Sequence, residues 1–356
     1  IPYRELKDNS EIGSGGIGSG ISESGGAGPR FSLQVRGFPC RYAVFSAGKG
    51  EKLYFPLLAI RGFYAIIAAV LSKTGRWKGG WNMDLKLAAI DLDGTLLKED
   101  CTISERNRKA ICRAMELGYL VVPSTGRGYR NSRFVLEEFP AMPYYINANG
   151  TTVTRGEPEE VLLSKTISLD TGREIYRIAR EYPAFIELYH GLDAFDSREG
   201  CEKLYKSGVM EAYCRQLLKT NIHLDSLDDF VLKEEHLISK FHIVCVSKKD
   251  KEELMERLGA LEGVFPISTA SQNIEIADTH WSKKDGLAWL CGRLKIDASQ
   301  VLAIGDSEND YEQIRWAGVG VAVKNAYPRV IGAADALVAS NEEDGVAQAL
   351  EQFLNL

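Results

Sequence analysis

Short apolar runs alternate with helical segments from about residue 85 to the end of the sequence, and most runs stop at a polar cluster. The runs that predict strands are residues 87–90, 120–122, 144–147, 301–304, 319–323 and 336–338. Apolar strands that alternate with helices are typical of a parallel sheet covered on both faces. We therefore predict an α/β fold built on a doubly wound, Rossmann-like parallel sheet.

The helical pattern is clearest at 105–117, where apolar residues recur at helical spacing and Gly118 supplies a stop signal. Residues 164–272 break the alternation with more aromatic residues and longer helical stretches. Helices are predicted there at 172–182, 200–218 and 249–261, and strands at 185–189 and 241–246. We expect an α+β domain at 164–272, inserted between two core segments at 84–163 and 273–356.

Two pairs of carboxylates follow predicted core strands. Asp91 and Asp93 come after the first strand, and Asp306 and Asp310 come after the strand at 301–304. Ligands of such sheets bind at the carboxyl ends of the strands. Oxygen donors without a nearby Cys or His favour Mg²⁺. Each pair alone is equally typical of a turn or of an acidic helix N-terminus.

Two further polar groups fit an anion site. Thr125 and Gly126 follow the strand at 120–122 and offer a hydroxyl and backbone N–H groups at a predicted helix N-terminus, which suits an anion. An ordinary N-cap explains them as well. Lys283 is the weaker signal, since most lysines are only solvated. These four groups, taken together and in their order along the chain, indicate a functional site more strongly than any one of them does alone.

Composition excludes several classes. Of the 356 residues, 45% are hydrophobic and 26% charged, which is typical of a soluble globular protein. The net charge of −6 gives no reason to expect nucleic acid or anionic lipid as a partner. The seven cysteines form no CxxC pair, so we expect free thiols in an intracellular, cytoplasmic protein.

The first 82 residues differ from the rest. They hold 15 of the 34 glycines and carry 11 Lys and Arg against 5 Asp and Glu. An apolar run at 53–71 is interrupted by Pro56, Arg61 and Gly62, so we do not expect a membrane anchor, although that reading stays open. Our hypothesis is that residues 1–82 are a translated upstream leader and that the native domain begins at Met83.

Taken together, the motifs resemble the haloacid dehalogenase-like superfamily, in particular its Cof-type members with a type IIB cap. The matching segments are DLDGTLL at 91–97, STGR at 124–127, NANG at 147–150, SKKDG at 282–286, GDSENDYEQI at 305–314 and SNEEDG at 340–345. The resemblance covers residues 84–356 and none of 1–82.

The resemblance implies a role for each motif residue. Asp91 would be the nucleophile that attacks phosphorus, and Asp93 the general acid and then the general base. Thr125, Gly126, Lys283 and Asn309 would hold the phosphoryl group. Mg²⁺ would be bound by Asp91, Asp306 and the backbone carbonyl of Asp93, with Asp310 orienting Lys283 or the waters of the metal.

The function implied is that of a Mg²⁺-dependent phosphatase that hydrolyses a small phosphorylated metabolite, such as a sugar phosphate, through an aspartyl-phosphate. A phosphotransferase or phosphomutase of the same fold is one alternative, and a non-catalytic binding protein is another. The inserted domain would select the substrate, with Tyr189, His190 and Asp193 as candidate contacts.

Overall fold

A computed structural model describes the chain from residue 84 to its end, apart from residues 210, 234–235, 269–270, 279–280 and 355. Before residue 84 it describes three strands, which pair antiparallel in chain order: β1 (Ser32–Gln34), β2 (Tyr42–Ala47) and β3 (Glu51–Pro56). The rest of the expected leader at 1–82, and most of the apolar run at 53–71, lie outside the described residues. Among the helices that are described, none is both long and apolar enough to cross a membrane.

The first core segment runs from Asp84 to Ser164. Its elements are β4 (Leu87–Ile90), α1 (Glu105–Glu116), β5 (Leu120–Pro123), α2 (Tyr129–Glu138), β6 (Tyr144–Asn147), β7 (Thr152–Arg155) and β8 (Glu160–Ser164). The predicted helix at 105–117 is confirmed as α1. The side chain of Ser104 accepts a hydrogen bond from Asn107 N and caps its start, and Gly118 follows its end with φ of 90°.

The inserted domain follows. Its elements are α3 (Leu169–Ala179), β9 (Ala184–His190), β10 (Asp193–Ser197), α4 (Arg198–Lys206), α5 (Glu211–Thr220), β11 (Ile222–Leu224), a π-helical turn (Asp229–Lys233), β12 (Lys240–Cys245), α6 (Lys248–Gly259) and β13 (Asn273–Ala277). One helix was predicted at 200–218, but the structure has two. Gly208, with φ of 78°, lies between them and interrupts the helical backbone.

The second core segment completes the main sheet. Its elements are α7 (Lys283–Leu294), β14 (Val301–Gly305), α8 (Tyr311–Trp316), β15 (Val319–Val323), α9 (Pro328–Ala333), β16 (Ala336–Val338) and α10 (Gly345–Phe353). The main sheet has the order β16-β15-β14-β4-β5, and every pair in it is parallel. This confirms the predicted α/β fold.

The main sheet is buried on both faces, and β4 shows how. Ala88 and Ile90 belong to one apolar core, whereas Leu87 and Ala89 belong to another on the opposite face. Successive residues of a strand point to opposite faces, so only a continuous apolar run can satisfy both cores. Burial of each Leu or Ile side chain stabilises the fold by about 1.5–3 kcal/mol.

The strand predicted at 144–147 is present but does not belong to the parallel sheet. It forms the antiparallel sheet β6-β7-β8, joined to the main sheet by a single parallel bridge between Ser124 and Ile146. Asn149 and Gly150 follow β6 in left-handed conformations, with φ of 57° and 89°. The chain therefore reverses at once and returns as an antiparallel strand.

The inserted domain extends further than expected. Its sheet has the order β11-β10-β9-β12-β13, so residues 273–277, which were assigned to the core, form its edge strand β13. In β13 the buried apolar residues Ile274 and Ile276 pack in the core of the inserted domain, alternating with polar Asn273 and Glu275. We propose core segments at 84–164 and 278–356, and an inserted domain at 165–277.

Gly150 is expected to be indispensable for packing. A Cβ atom there would lie 2.1 Å from the backbone oxygen of Ser282, immediately before α7, on a residue with φ of 89°. We expect Gly150→Ala to destabilise the protein by about 1–3 kcal/mol. Thermal unfolding should show this, with Gly292→Ala as control, because Gly292 lies exposed in α7 with nothing near its Cβ. The control should be stabilised by about 0.5–1 kcal/mol. Equal unfolding temperatures would contradict the argument.

We also expect residues 83–356 to fold and turn over substrate without residues 1–82. The apolar cores on the two faces of the main sheet, the core of the inserted domain and every motif lie within 83–356. The truncated and full-length proteins should share their main thermal transition and their turnover number. Failure of the truncated protein to fold would show that the leader belongs to the domain.

Candidate active site

The polar clusters meet at the carboxyl edge of the main sheet, as expected. Asp91 directly follows β4, and Asp306 directly follows β14, which is the neighbour of β4. A cavity of about 480 Å³ opens there. Its walls include core residues Asp91, Asp93, Gly126, Arg127, Asp306 and Asn309, and inserted-domain residues Tyr189, Tyr213, Lys240, His242, Asn273 and Glu275.

Lys283, the first residue of α7, lies beneath the cavity between two aspartates. Its ammonium group donates hydrogen bonds to Asp91 Oδ1 at 2.6 Å and to Asp310 Oδ1 at 2.7 Å, and its side chain is fully buried. Burial alone would lower the pKa of Lys283, but the charges of Asp310 and Asp91 outweigh it and raise that pKa. The two aspartates thus favour the charged form of Lys283 beside Asp91.

Asp310 holds this arrangement in place. Its Oδ2 accepts hydrogen bonds from the backbone N–H groups of Asp306 and Ser307, both at 3.1 Å, and its Oδ1 accepts one from Gln313 at 2.8 Å besides that from Lys283. Both oxygens are thus committed to protein donors. A Cβ atom on Gly305 would lie 2.5 Å from the carboxyl carbon of Asp310, so only glycine fits there.

Asp306 is positioned by the DLDGT loop. Thr95 donates a hydrogen bond to Asp306 Oδ1 at 2.8 Å, and Gly94, with φ of 79°, passes so close that a Cβ would lie 2.7 Å from Asp306 Oδ2. Burial, followed by the nearby charge of Asp310, raises the pKa of Asp306 to about 6. The glycine of the motif thus brings the loop against this carboxylate.

The site fits a divalent metal ion. Asp91, Asp306 and Asp310 each offer an oxygen within 4.8 Å of the others. Three carboxylates around one lysine leave excess negative charge, and burial, followed by the charge of Asp310, raises the pKa of Asp91 well above its usual range. A hard cation would offset this charge with the oxygen ligands it prefers. Since Asp310 is already engaged, Asp91 and Asp306 are the side chains left to bind it.

Asp93 lines the cavity, and its carboxylate forms a bidentate ion pair with Arg127. Arg127 Nε and Nη2 donate to the two Asp93 oxygens at 2.7 and 2.6 Å. The arginine side chain is only 2% exposed, whereas that of Asp93 is 46% exposed. Enclosure of the carboxyl works to raise the pKa of Asp93, but Arg127 outweighs it and holds that pKa below its usual value.

Arg127 also connects the core to the inserted domain. Its Nη1 donates to Gln216 of α5 at 2.7 Å, and its guanidinium carbon lies 5.1 Å from the ring centre of Tyr213, also in α5. No role for the Arg127 side chain was predicted from the sequence. Its position in the STGR segment, beside the anion-site residues, was the available signal.

The proposed phosphoryl-binding residues gather around Gly126. Asn309 donates to Asn149 Oδ1 at 3.0 Å, and a Cβ on Gly126 would lie 3.0 Å from that same oxygen. Thr125 is fully buried, and its Oγ1 accepts a hydrogen bond from Arg127 N at 3.1 Å. The structure thus brings Thr125, Gly126, Asn309 and Lys283 to one end of the sheet, with Gly126 and Asn309 on the cavity wall.

Lys240 and Glu275 of the inserted domain form hydrogen bonds with loops of the core, and neither residue was predicted from the sequence. Lys240 Nζ donates to the backbone oxygen of Gly126 at 2.6 Å and lies 2.9 Å from Glu275 Oε2. Glu275 in turn accepts from Asn149 Nδ2 at 2.6 Å. The available signal was alternation, since Lys240 and His242 alternate with apolar residues in β12, as Asn273 and Glu275 do in β13.

Of the three residues of the inserted domain that were expected to contact substrate, only one lies on the cavity wall. Tyr189 lines the cavity, but His190 and Asp193 lie outside it. His190 pairs through Nδ1 with the backbone oxygen of Leu237 at 2.9 Å, and Asp193 accepts from Arg130 at 3.0 Å. Adjacent residues of a strand face opposite ways, so β9 turns Tyr189 toward the cavity and His190 away.

Comparison with known proteins agrees with this geometry. The profile of the family described as haloacid dehalogenase-like hydrolase matches residues 88–350. Phosphatase YwpJ of Bacillus subtilis is 29% identical over 288 residues, which cover 76% of this chain and all of that protein. The 5-amino-6-(5-phospho-D-ribitylamino)uracil phosphatase YcsE of the same organism is 28% identical, covering 77% of this chain and 97% of that one.

Solved structures show the same likeness. A haloacid dehalogenase-like hydrolase from B. subtilis superposes with a TM-score of 0.67 at 27% identity, covering 75% of this chain and 99% of that structure. The family profile spans most of the chain. The two relatives are named as phosphatases, and this chain aligns with nearly the full length of each. The chain therefore belongs to the haloacid dehalogenase-like hydrolases, and it is a phosphatase.

Proposed function

We propose that this phosphatase is Mg²⁺-dependent and hydrolyses a small phosphorylated sugar or polyol through an aspartyl-phosphate on Asp91. The observation that carries the proposal is the buried lysine between Asp91 and Asp310, with Asp306 beside them, at the base of a cavity. A carboxylate can attack a phosphate dianion only when cations offset their mutual repulsion.

In the first step, an Asp91 oxygen attacks phosphorus, and the bond from phosphorus to the substrate oxygen breaks. Asp93 passes a proton to the departing oxygen, and Lys283 offsets charge at Asp91. The backbone N–H of Gly126, the hydroxyl of Thr125 and the amide of Asn309 bind the phosphoryl oxygens. Positioning and charge stabilisation supply most of the rate in such transfers.

In the second step, water attacks the phosphorus of the aspartyl-phosphate and Asp93 takes its proton. The bond between phosphorus and Asp91 breaks, which restores the carboxylate and frees phosphate. Arg127 stabilises the ionised form of Asp93 that this step requires. For the first step Asp93 must be protonated, and the approach of the negatively charged phosphate favours that state.

Asp91, Asp306 and the backbone carbonyl of Asp93 would hold Mg²⁺. When bound, the ion supplies positive charge that neutralises the phosphoryl group and the carboxylates around it. The choice of Mg²⁺ rests on the all-oxygen donor set, since among the described residues no His or Cys belongs to the group of Asp91, Asp306 and Asp310, whose oxygens lie within 4.8 Å of one another.

The cavity wall supports a polyhydroxylated substrate. Lys240, His242, Asn273 and Glu275 offer donors and acceptors for hydroxyl groups, and Tyr189 and Tyr213 offer flat apolar faces. A volume of about 480 Å³ accommodates a small metabolite rather than a polymer. YcsE is named for a phosphorylated ribityl compound, which is a polyol phosphate of this kind.

A phosphate-release screen over phosphorylated sugars and polyols tests the function and the metal together. We expect release with Mg²⁺, background after treatment with EDTA, and recovery when Mg²⁺ is returned. Ca²⁺ should inhibit, because its looser coordination lets both oxygens of Asp91 bind metal and spoils the attack. Full activity after exhaustive chelation would refute the metal assignment, and transfer of phosphate to another sugar without its release would favour a phosphotransferase.

Asp91→Asn and Asp93→Asn should fail in different ways. Asp91→Asn removes the nucleophile, so no phosphoenzyme should form with any substrate. Asp93→Asn removes the proton donor and base, which costs about 10²–10⁴-fold in turnover of alkyl phosphates. Acyl phosphates need less protonation to depart, so they should lose less and should leave label on Asp91.

Trapping of radiolabel from an activated phosphate donor distinguishes the two variants. Asp229→Asn is the matched control, because that carboxylate is exposed and pairs only with Lys233 within the described residues. It should behave as the wild type does. If Asp93→Asn loses alkyl and acyl phosphate turnover equally and never traps label, the acid and base role of Asp93 is wrong.

A further inference from the structure

A second cluster of metal-ligating side chains lies in the inserted domain. Asp196 in β10, Cys201 in α4 and His223 in β11 bring one carboxylate oxygen, one sulfur and one ring nitrogen within 4.8 Å of one another. None of the three lines the catalytic cavity. We propose that this cluster binds a transition metal ion of the zinc class, separately from the phosphatase reaction.

The spacing of the donor atoms fits a tetrahedral ion. Typical zinc bond lengths place two ligand atoms of a tetrahedral site about 3.4–3.6 Å apart. Cys201 Sγ lies 3.6 Å from Asp196 Oδ1 and 3.8 Å from His223 Nδ1. His223 Nδ1 and Asp196 Oδ1 are 2.6 Å apart because they share a proton, and they need to separate by less than about 1 Å when an ion replaces it.

The remaining polar atoms of these residues are already engaged. His223 Nε2 lies 2.8 Å from the backbone oxygen of Leu218, which can only accept, so Nε2 must carry a proton. Asn221 Nδ2 donates to Asp196 Oδ2 at 3.0 Å. These contacts leave Nδ1 and Oδ1 facing Cys201. Metal-binding histidines and carboxylates are commonly oriented by such outer partners.

A fourth position is available. The backbone oxygen of Ser197 lies 3.4 Å from Cys201 Sγ, and the His223 side chain is 29% exposed, so a carbonyl or a water can complete the set. Arg198 is the nearby cation, and its guanidinium is drawn to Asp225 at 3.1 Å. The Asp196 side chain is fully buried, so this ligand of a bound ion would be shielded from solvent.

A bound ion would stabilise the edge strand β11 of the sheet in the inserted domain. β11 has only three residues and pairs with β10 alone among the described strands. A bound ion would join β10, β11 and the first turns of α4 through their side chains. Binding energy of this kind adds directly to the stability of the folded form.

Cobalt spectroscopy on the full chain tests the proposal. Co²⁺ bound to a thiolate gives an intense near-ultraviolet charge-transfer band, which the oxygen ligands of the catalytic site cannot give. Under a thiol-free reductant we expect one equivalent of such signal for the wild type, and its loss in Cys201→Ser and in His223→Gln. Cys112→Ser is the matched control, since that partly buried thiol lies outside the cluster, and it should keep the band.

Stability gives a second measurement. With the catalytic site saturated by Mg²⁺ and Zn²⁺ at about a hundredfold excess over its Kd for the cluster, the melting temperature of the wild type should rise by about 5–10 °C more than that of Cys201→Ser. Circular dichroism and Mg²⁺-dependent turnover establish that each variant is folded. Absence of the charge-transfer band in the wild type, or its persistence in folded Cys201→Ser, would overturn the proposal.

Discussion

The active site depends on one buried cation. Lys283 lies fully buried between Asp91 and Asp310, and removing an ion from water is costly unless its partners are close and well placed. Asp310 meets that condition because two backbone N–H groups and Gln313 fix its carboxylate. The lysine therefore needs α7, β14 and the loop after it to be folded together, and the charge at Asp91 depends on all three.

Glycines make this approach of elements possible. Gly94 lets its loop touch Asp306, Gly305 lets its strand end meet Asp310, and Gly150 lets its turn contact the residue before Lys283. In each case a Cβ atom would overlap an atom of the site or of the backbone that carries it. The motif glycines thus set the distances between the charged residues, although they contribute no chemistry themselves.

The sequence predicted the strands of the parallel sheet and the meeting of polar residues at its carboxyl edge, because apolar runs and the polar residues that end them are visible in short stretches of sequence. Features that depend on distant pairing were not predictable in this way. Tyr144–Asn147 has the apolar pattern of a core strand, and only the left-handed residues after it reveal the reversal. The hydrogen bond from Lys240 to Gly126 and the ion pair between Arg127 and Asp93 join residues that are far apart in the sequence. The first of them forms only when the inserted domain packs on the core.

Arg127 links the core and the inserted domain through the contacts of a single side chain. One side chain holds the carboxylate of Asp93 in the core and at the same time binds Gln216 and lies against Tyr213 of the inserted domain. Exchange of the inserted domain for another would therefore change the surroundings of Asp93 as well as the wall of the cavity. A change at Tyr213 or Gln216 would therefore reach Asp93 through Arg127, although both residues lie in the inserted domain.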